Sequence, residues 1–158
     1  METKQVSLPP GGMLRSTNDL PTDLSHSSSG RKVTGILSPL WGTPELLVNL
    51  SFGDKTLSNV SAILDSGAYR CMVSPQMAQQ LNLTQAEGHA QYQNPVLGTV
   101  QTPLYSIGFS FAGLDQVFIY QCQIMPQMYE WGLLLGTEFL RQCTLHYYGK
   151  ERYFELIV

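Results

Sequence analysis

The stretch Ile63-Leu64-Asp65-Ser66-Gly67-Ala68 constrains this chain more than any other. An apolar run of strand character delivers an acidic side chain straight into a tight turn. A carboxylate at the end of a buried strand is costly unless it is paired. Ser66 brings a hydroxyl able to donate a hydrogen bond. Gly67 lets another chain segment approach closely, and the small Ala68 continues that approach. Taken alone, the tetrapeptide reads equally well as an ordinary β-turn with Asp and Gly in favoured places.

The rest of the chain is patterned mainly for strands. Leu46 to Phe52 and Lys55 to Leu64 flank a Gly53-Asp54 turn and read as a hairpin. Ser74 followed by Pro75, with Met77, Ala78 and Leu81 as an apolar stripe, predicts a short helix ending near Asn82. Gly88 to Gln101 is polar and turn-rich, suited to an exposed hairpin or a long loop. Tyr105, Ile107, Phe109 and Phe111 alternate with small or polar residues, the period of a half-buried strand. Val117 to Met125 predicts another strand. Thr137 to Gln142 predicts a second short helix, and Thr144 to Tyr148 and Arg152 to Val158 predict closing strands around a Gly149-Lys150-Glu151 turn. The fold class expected is all-β with one or two short helices.

Residues 1–32 differ, with Pro9-Pro10-Gly11-Gly12 and a Ser-rich run from Ser25 to Gly30. Too few large apolar side chains are present there to offset the entropy of ordering. The expected division is a flexible tail or pro-segment over 1–32 and one domain over 33–158. Hydrophobic residues make up 43% of the 158, enough for a core of that size. Only 13% are charged, about half the usual share, which suggests that part of the surface is covered by self-association. The net charge of -3 disfavours nucleic acid as a partner. No apolar run reaches the roughly 20 residues needed to cross a bilayer. No apolar region follows Met1 to Gln5, so a cytoplasmic location without membrane association is the expectation. On that basis the N-x-S/T sequons at Asn49, Asn59 and Asn82 are chance matches. Cys71, Cys122 and Cys143 form neither a CxxC nor a disulfide framework, and His26, His89 and His146 lack metal-ligand spacing. Neither a metal nor another cofactor is expected.

A second signal changes the weight of the first. Leu133-Leu134-Leu135-Gly136-Thr137-Glu138-Phe139-Leu140 is again an apolar strand, a glycine and a short helix. In this order, with the β pattern between them, the two segments resemble the retropepsin-like aspartic proteases, the single-lobed retroviral type. The resemblance covers roughly residues 44–158. The run Tyr69 to Ser74, the Ser-Pro helix start, and the Gly88 to Gln101 region in the place of a flap add to it. Cys71 departs from the usual Ser or Thr, Thr137 from the Arg of many retroviral members, and the flap segment lacks a glycine-rich tip.

The resemblance implies an acid-protease barrel or sandwich active as a two-fold homodimer. It makes Asp65 the catalytic residue, Ser66, Gly67 and Ala68 its loop, and Leu135 and Gly136 the support behind that loop. It further implies hydrolysis of peptide bonds between apolar residues in an extended polypeptide, held under a flap within Tyr92 to Val100. The chain holds one Asp-Ser-Gly, hence half a site. Tyr153 to Val158, apolar and at the chain end, is expected to be an exposed edge used by a second subunit, ahead of an ordinary core strand. Trp41 and Trp131 are expected in core or rim packing rather than in a pocket. Cys71 is expected to be a buried thiol, and Arg70 is equally well a solvated side chain or a carboxylate's partner. The alternatives are a retropepsin-fold dimerisation or peptide-binding module of little activity, and a monomeric β-barrel binding an apolar ligand.

Overall fold

The computed structural model of the protein describes residues 30–94, 98–125 and 130–158, with residues 92–94 as backbone only. Its strands, in chain order, are β1 (Lys32–Leu37), β2 (Pro44–Phe52), β3 (Lys55–Leu64), β4 (Met72–Val73), β5 (Gly88–Asn94), β6 (Gly98–Phe111), β7 (Phe118–Ile124), β8 (Leu133–Leu135), β9 (Thr144–Tyr148) and β10 (Tyr153–Ile157). Two helices interrupt them, α1 (Pro75–Leu81) and α2 (Thr137–Leu140).

The strands close on themselves. From β2 the ladder passes through β3, β8, β4 and β7 to β6, and β6 pairs back onto β2 from Val48↔Phe111 to Ser51↔Gly108. Closure leaves no open edge around this ring. Two extensions leave it. The first half of β6 runs out with β5 as a hairpin, and β1, β10 and β9 continue outward from β2. Alternation sends Val48, Leu50, Ala62, Leu64, Ile107, Phe109, Leu133 and Leu135 inward, where they are buried. Phe109 and Phe139 meet edge to face with centroids 5.2 Å apart, and Phe118 and Tyr120 pack on both rings.

The helix α1 forms as its sequence predicts. Ser74 Oγ accepts the Met77 N–H at 3.2 Å, Pro75 opens the first turn, and Asn82 closes the last in the left-handed region with φ 54°. Ala78 and Leu81 are its buried face. Of Gly88 to Gln101, the place expected for a flap, the described parts pair antiparallel as β5 and β6, with Tyr92 opposite Val100; residues 95–97 lie outside those described. The β6 strand runs unbroken through Pro103. There it pairs only with β5, so the missing N–H can face the open side.

The chain's last strand differs from the expectation. β10 is not an edge: it lies between β1 and β9, pairing Lys32↔Ile157 to Ile36↔Tyr153 on one side and Tyr153↔Tyr148 to Ile157↔Thr144 on the other. Phe154 and Leu156 are fully buried. The outer strand is β9, where Leu145 and Tyr147 stay exposed. Lys32 begins β1, and Arg31 exchanges backbone hydrogen bonds with Val158, so the ordered sheet starts at the end of the expected tail; residues 1–29 lie outside those described. Among the described residues no helix is long and apolar enough to cross a membrane.

Candidate active site

Asp65 follows the last residue of β3, where the backbone turns through Ser66 and Gly67. The turn is held from within: Gly67 N–H donates to Asp65 Oδ1 at 2.8 Å, and Ala68 N–H to Asp65 O at 3.3 Å. It is held from behind by β8, which runs parallel to β3 with Leu64 opposite Leu135. Asp65 N–H donates to Leu135 O at 3.0 Å. Asp65 and Ala68 are half-buried, whereas Ser66 and Gly67 are exposed.

The segment from Gly136 into α2 clamps the outgoing limb of the same loop. Thr137 N–H donates to Ala68 O at 2.8 Å and Glu138 N–H to Tyr69 O at 2.9 Å. Gly136 makes this approach possible. A Cβ there would stand 2.5 Å from Arg70 O and 2.7 Å from Tyr69 O. Its φ of -85° suits any residue, so the requirement is space and not backbone freedom.

Glu138 adds a side-chain tie. Its Oε1 accepts the Cys71 N–H at 2.7 Å, and its Oε2 lies 3.8 Å from the Arg70 guanidinium. Arg70 thus takes the carboxylate-partner reading. Nothing local in the sequence singled out Glu138, because Arg70 and Cys71 lie far from it along the chain. Cys71 is buried, as expected, and desolvation pushes its thiol up to about 12, with a smaller rise from the nearby Glu138 carboxylate. The Cys122 thiol is raised by burial as well. Neither thiol is a ready nucleophile.

Beside Asp65 the surface sinks into an apolar pocket of about 320 Å³ lined by Ile63, Ala68, Met72, Met125, Trp131 and Leu134. Trp131 therefore lines a pocket, against expectation, and its indole Nε1 donates to Glu45 Oε1 at 3.2 Å. Nothing local marked it, because Glu45 is far away in sequence. Trp41 is likewise outside the core: it is 79% exposed beside the 85% exposed Leu40, on the turn between β1 and β2. Larger hollows elsewhere, such as the one along β1 and β2, do not contain Asp65. Among the described residues no cluster of His, Cys, Asp and Glu is arranged to hold a metal ion.

A barrel closed by β6, an Asp turn backed by a parallel strand, and a glycine-led helix locking that turn form one arrangement. The chain as a whole is similar in fold to a retropepsin-like aspartic protease from Rickettsia conorii, with a TM-score of 0.55 over 80% of this chain and 90% of that one, at 14% identity. The fold is retropepsin-like. Weaker likenesses extend to EIAV protease (TM-score 0.43, 16% identity, 66% of this chain and 91% of that one) and to the retroviral protease-like domain of Ddi1 from Leishmania major (TM-score 0.37, 17% identity, 63% and 78%). No protein-family model and no curated protein sequence matches the chain. At these identities the likeness concerns the retropepsin-like fold and not the chemistry.

Proposed function

We propose that the protein is a homodimeric aspartic endopeptidase in which Asp65 of two chains forms the catalytic pair. The observation that carries this reading is Asp65 itself: a half-buried residue at the end of a core strand, its carboxylate accepting the Gly67 N–H and its backbone N–H donating to Leu135 O, beside an apolar pocket. Supporting a binding module alone would not require an acid in that place.

In the reaction, one Asp65 carboxylate takes a proton from water as the water oxygen attacks the scissile carbonyl carbon. The other, protonated, donates a hydrogen bond to the carbonyl oxygen. One proton shared between the two carboxylates lets one act as base while the other acts as acid. Collapse of the tetrahedral intermediate breaks the C–N bond and passes a proton to the leaving nitrogen. Ser66, Gly67 and Ala68 shape the loop, and Leu135 and Gly136 support it. The β5–β6 hairpin acts as the flap over a substrate bound as an added strand.

The half-site supports the dimer, since the sequence holds only one Asp-Ser-Gly. Exposed surfaces available to the second copy include the Asp65 loop itself with Ser66, Gly67 and Tyr69, the outer strand β9 with Leu145 and Tyr147, and the Leu40-Trp41 turn. The test is cleavage of a mixed peptide library, run at several pH values from about 4 to 7 because the reaction needs one acid and one base. Cleavage beside apolar residues that vanishes in Asp65→Asn supports the proposal. A folded wild type that cleaves nothing would turn the assignment to a retropepsin-fold peptide-binding module.

A further inference from the structure

Trp131 has a more specific placement than pocket lining requires. Its backbone is pinned by the next residue. Gly132 N–H donates to Ser61 O at 2.8 Å, and Gly132 O accepts from Ser74 N–H at 2.9 Å. A Cβ at 132 would lie 2.2 Å from Val60 Cγ1 and 2.9 Å from Met77 Cγ, so the chain is pressed flat against β3 and α1. At its far end the indole is tied to Glu45 by the Nε1–Oε1 hydrogen bond of 3.2 Å. Glu45 stands directly opposite Ile63 in the β2–β3 ladder, which puts both side chains on one face of the sheet. Ile63 is itself a wall of the pocket beside Asp65.

Trp131 also lines a second, polar hollow of about 380 Å³, with Ser58, Asn59, Gln76, Gln80 and the acidic Glu130. The ring therefore stands between an apolar pocket that holds Asp65 and a polar groove that does not. It also occupies the carboxylate of Glu45. Among the described residues no cation lines the apolar pocket to receive an acidic side chain.

We infer that Trp131, held in place by Glu45, is the specificity-determining wall of the pocket beside Asp65. It admits an uncharged apolar side chain such as Leu, Met or Phe next to the scissile bond and shuts out charged ones. The inference rests on the proposed hydrolysis for the position of that side chain relative to the cleaved bond. Removing the indole joins the pocket to the polar groove and leaves the Glu45 carboxylate facing it without the N–H of Trp131. A Lys or Arg side chain then gains both room and a counter-charge.

The experiment has two arms. The first compares kcat/KM for peptides that differ only in Leu, Phe, Lys or Glu beside the cleaved bond. Wild type and Trp131→Phe prefer Leu and Phe. Trp131→Ala lowers the Leu-over-Lys ratio by about tenfold or more, the scale of pocket discrimination. Trp131→Ala with Glu45→Gln and Glu130→Gln, which neutralises both carboxylates of the joined space, loses the gain for Lys while keeping the enlarged pocket. The second arm needs no turnover. The chain has two tryptophans, so Trp41→Phe leaves Trp131 as the sole indole. In that variant carrying Asp65→Asn, reduced-amide peptides are titrated while emission is followed. The Leu peptide shifts Trp131 emission to the blue, and the Lys peptide does not.

If wild type cleaves nothing yet the Leu peptide shifts the emission, the pocket assignment stands and the hydrolytic reading falls. If wild type cleaves but Trp131→Ala keeps the same profile, the inference is overturned. An emission that responds to neither peptide, or equally to both, overturns it too.

Discussion

Replacing Gly136 by Ala adds one methyl group at the point where β8 hands over to α2. In that position the new Cβ meets backbone, 2.5 Å from Arg70 O and 2.7 Å from both Arg70 C and Tyr69 O. Backbone cannot rotate aside as a side-chain tip can. Relief requires the 69–71 limb to separate from α2, stretching the Thr137–Ala68 and Glu138–Tyr69 hydrogen bonds of 2.8 and 2.9 Å. Overpacking of this kind costs about 1–3 kcal/mol. At about 2–4 °C per kcal/mol for a chain of this length, Tm falls by roughly 4–8 °C for a cost near 2 kcal/mol. Gly88→Ala is the matched control. The same methyl there meets only Leu104 Cδ1 at 3.8 Å, an ordinary contact. That change is neutral or stabilises by up to about 1 kcal/mol, because alanine restricts the unfolded chain. Both variants are compared by thermal and urea unfolding, and peptide cleavage is measured on each. Gly136→Ala loses cleavage beyond its loss of stability, because the displaced limb continues directly from Asp65. A Gly136→Ala protein as stable as Gly88→Ala would refute the clamp.

Further expectations concern capping, thiols and surface charge. Ser74→Ala removes the cap from the Met77 N–H and lowers the unfolding free energy by about 1 kcal/mol, read from the urea midpoint at unchanged slope. The Cys71 thiol, at about 12, and Cys122, raised by burial, stay protonated at mildly alkaline pH; a thiol reagent labels neither in the native protein and both after denaturation. Glu155 is held below the usual carboxylate range by its hydrogen bond from Lys32, and Lys32 is raised by the same contact. The carboxylate's contribution is present above the unfolded Glu pKa and fades as pH falls through the lower folded value. The Tm gap between wild type and Glu155→Gln is therefore small at neutral pH, narrows with salt, and closes in acid; a gap that widens in acid would contradict the pairing.

Features coded by neighbouring residues were legible in the sequence. Ser74-Pro75 announces α1, Gly53-Asp54 the β2–β3 hairpin, and the apolar runs before Asp65 and Gly136 two strands, whose parallel pairing the structure adds. What escaped was partnership over long separations. Alternation in Tyr153 to Ile157 marks a strand with a buried face, and it is silent on how many neighbours the strand has. Here β1 and β9 supply both, so an internal strand was read as an edge. Trp131 looked like packing because its hydrogen-bond partner, Glu45, lies on β2. Glu138 carried no local mark of its tie to Cys71.

The claim that two copies of Asp65 make one site is tested most directly by mixing. Wild type and Asp65→Asn are combined at fixed total concentration, allowed to exchange subunits, and assayed across the range of wild-type fractions. A site that needs both carboxylates gives activity proportional to the square of that fraction, so an equal mixture retains about one quarter. Activity linear in the fraction, with about one half retained, would mean that each chain works alone and would contradict the shared site.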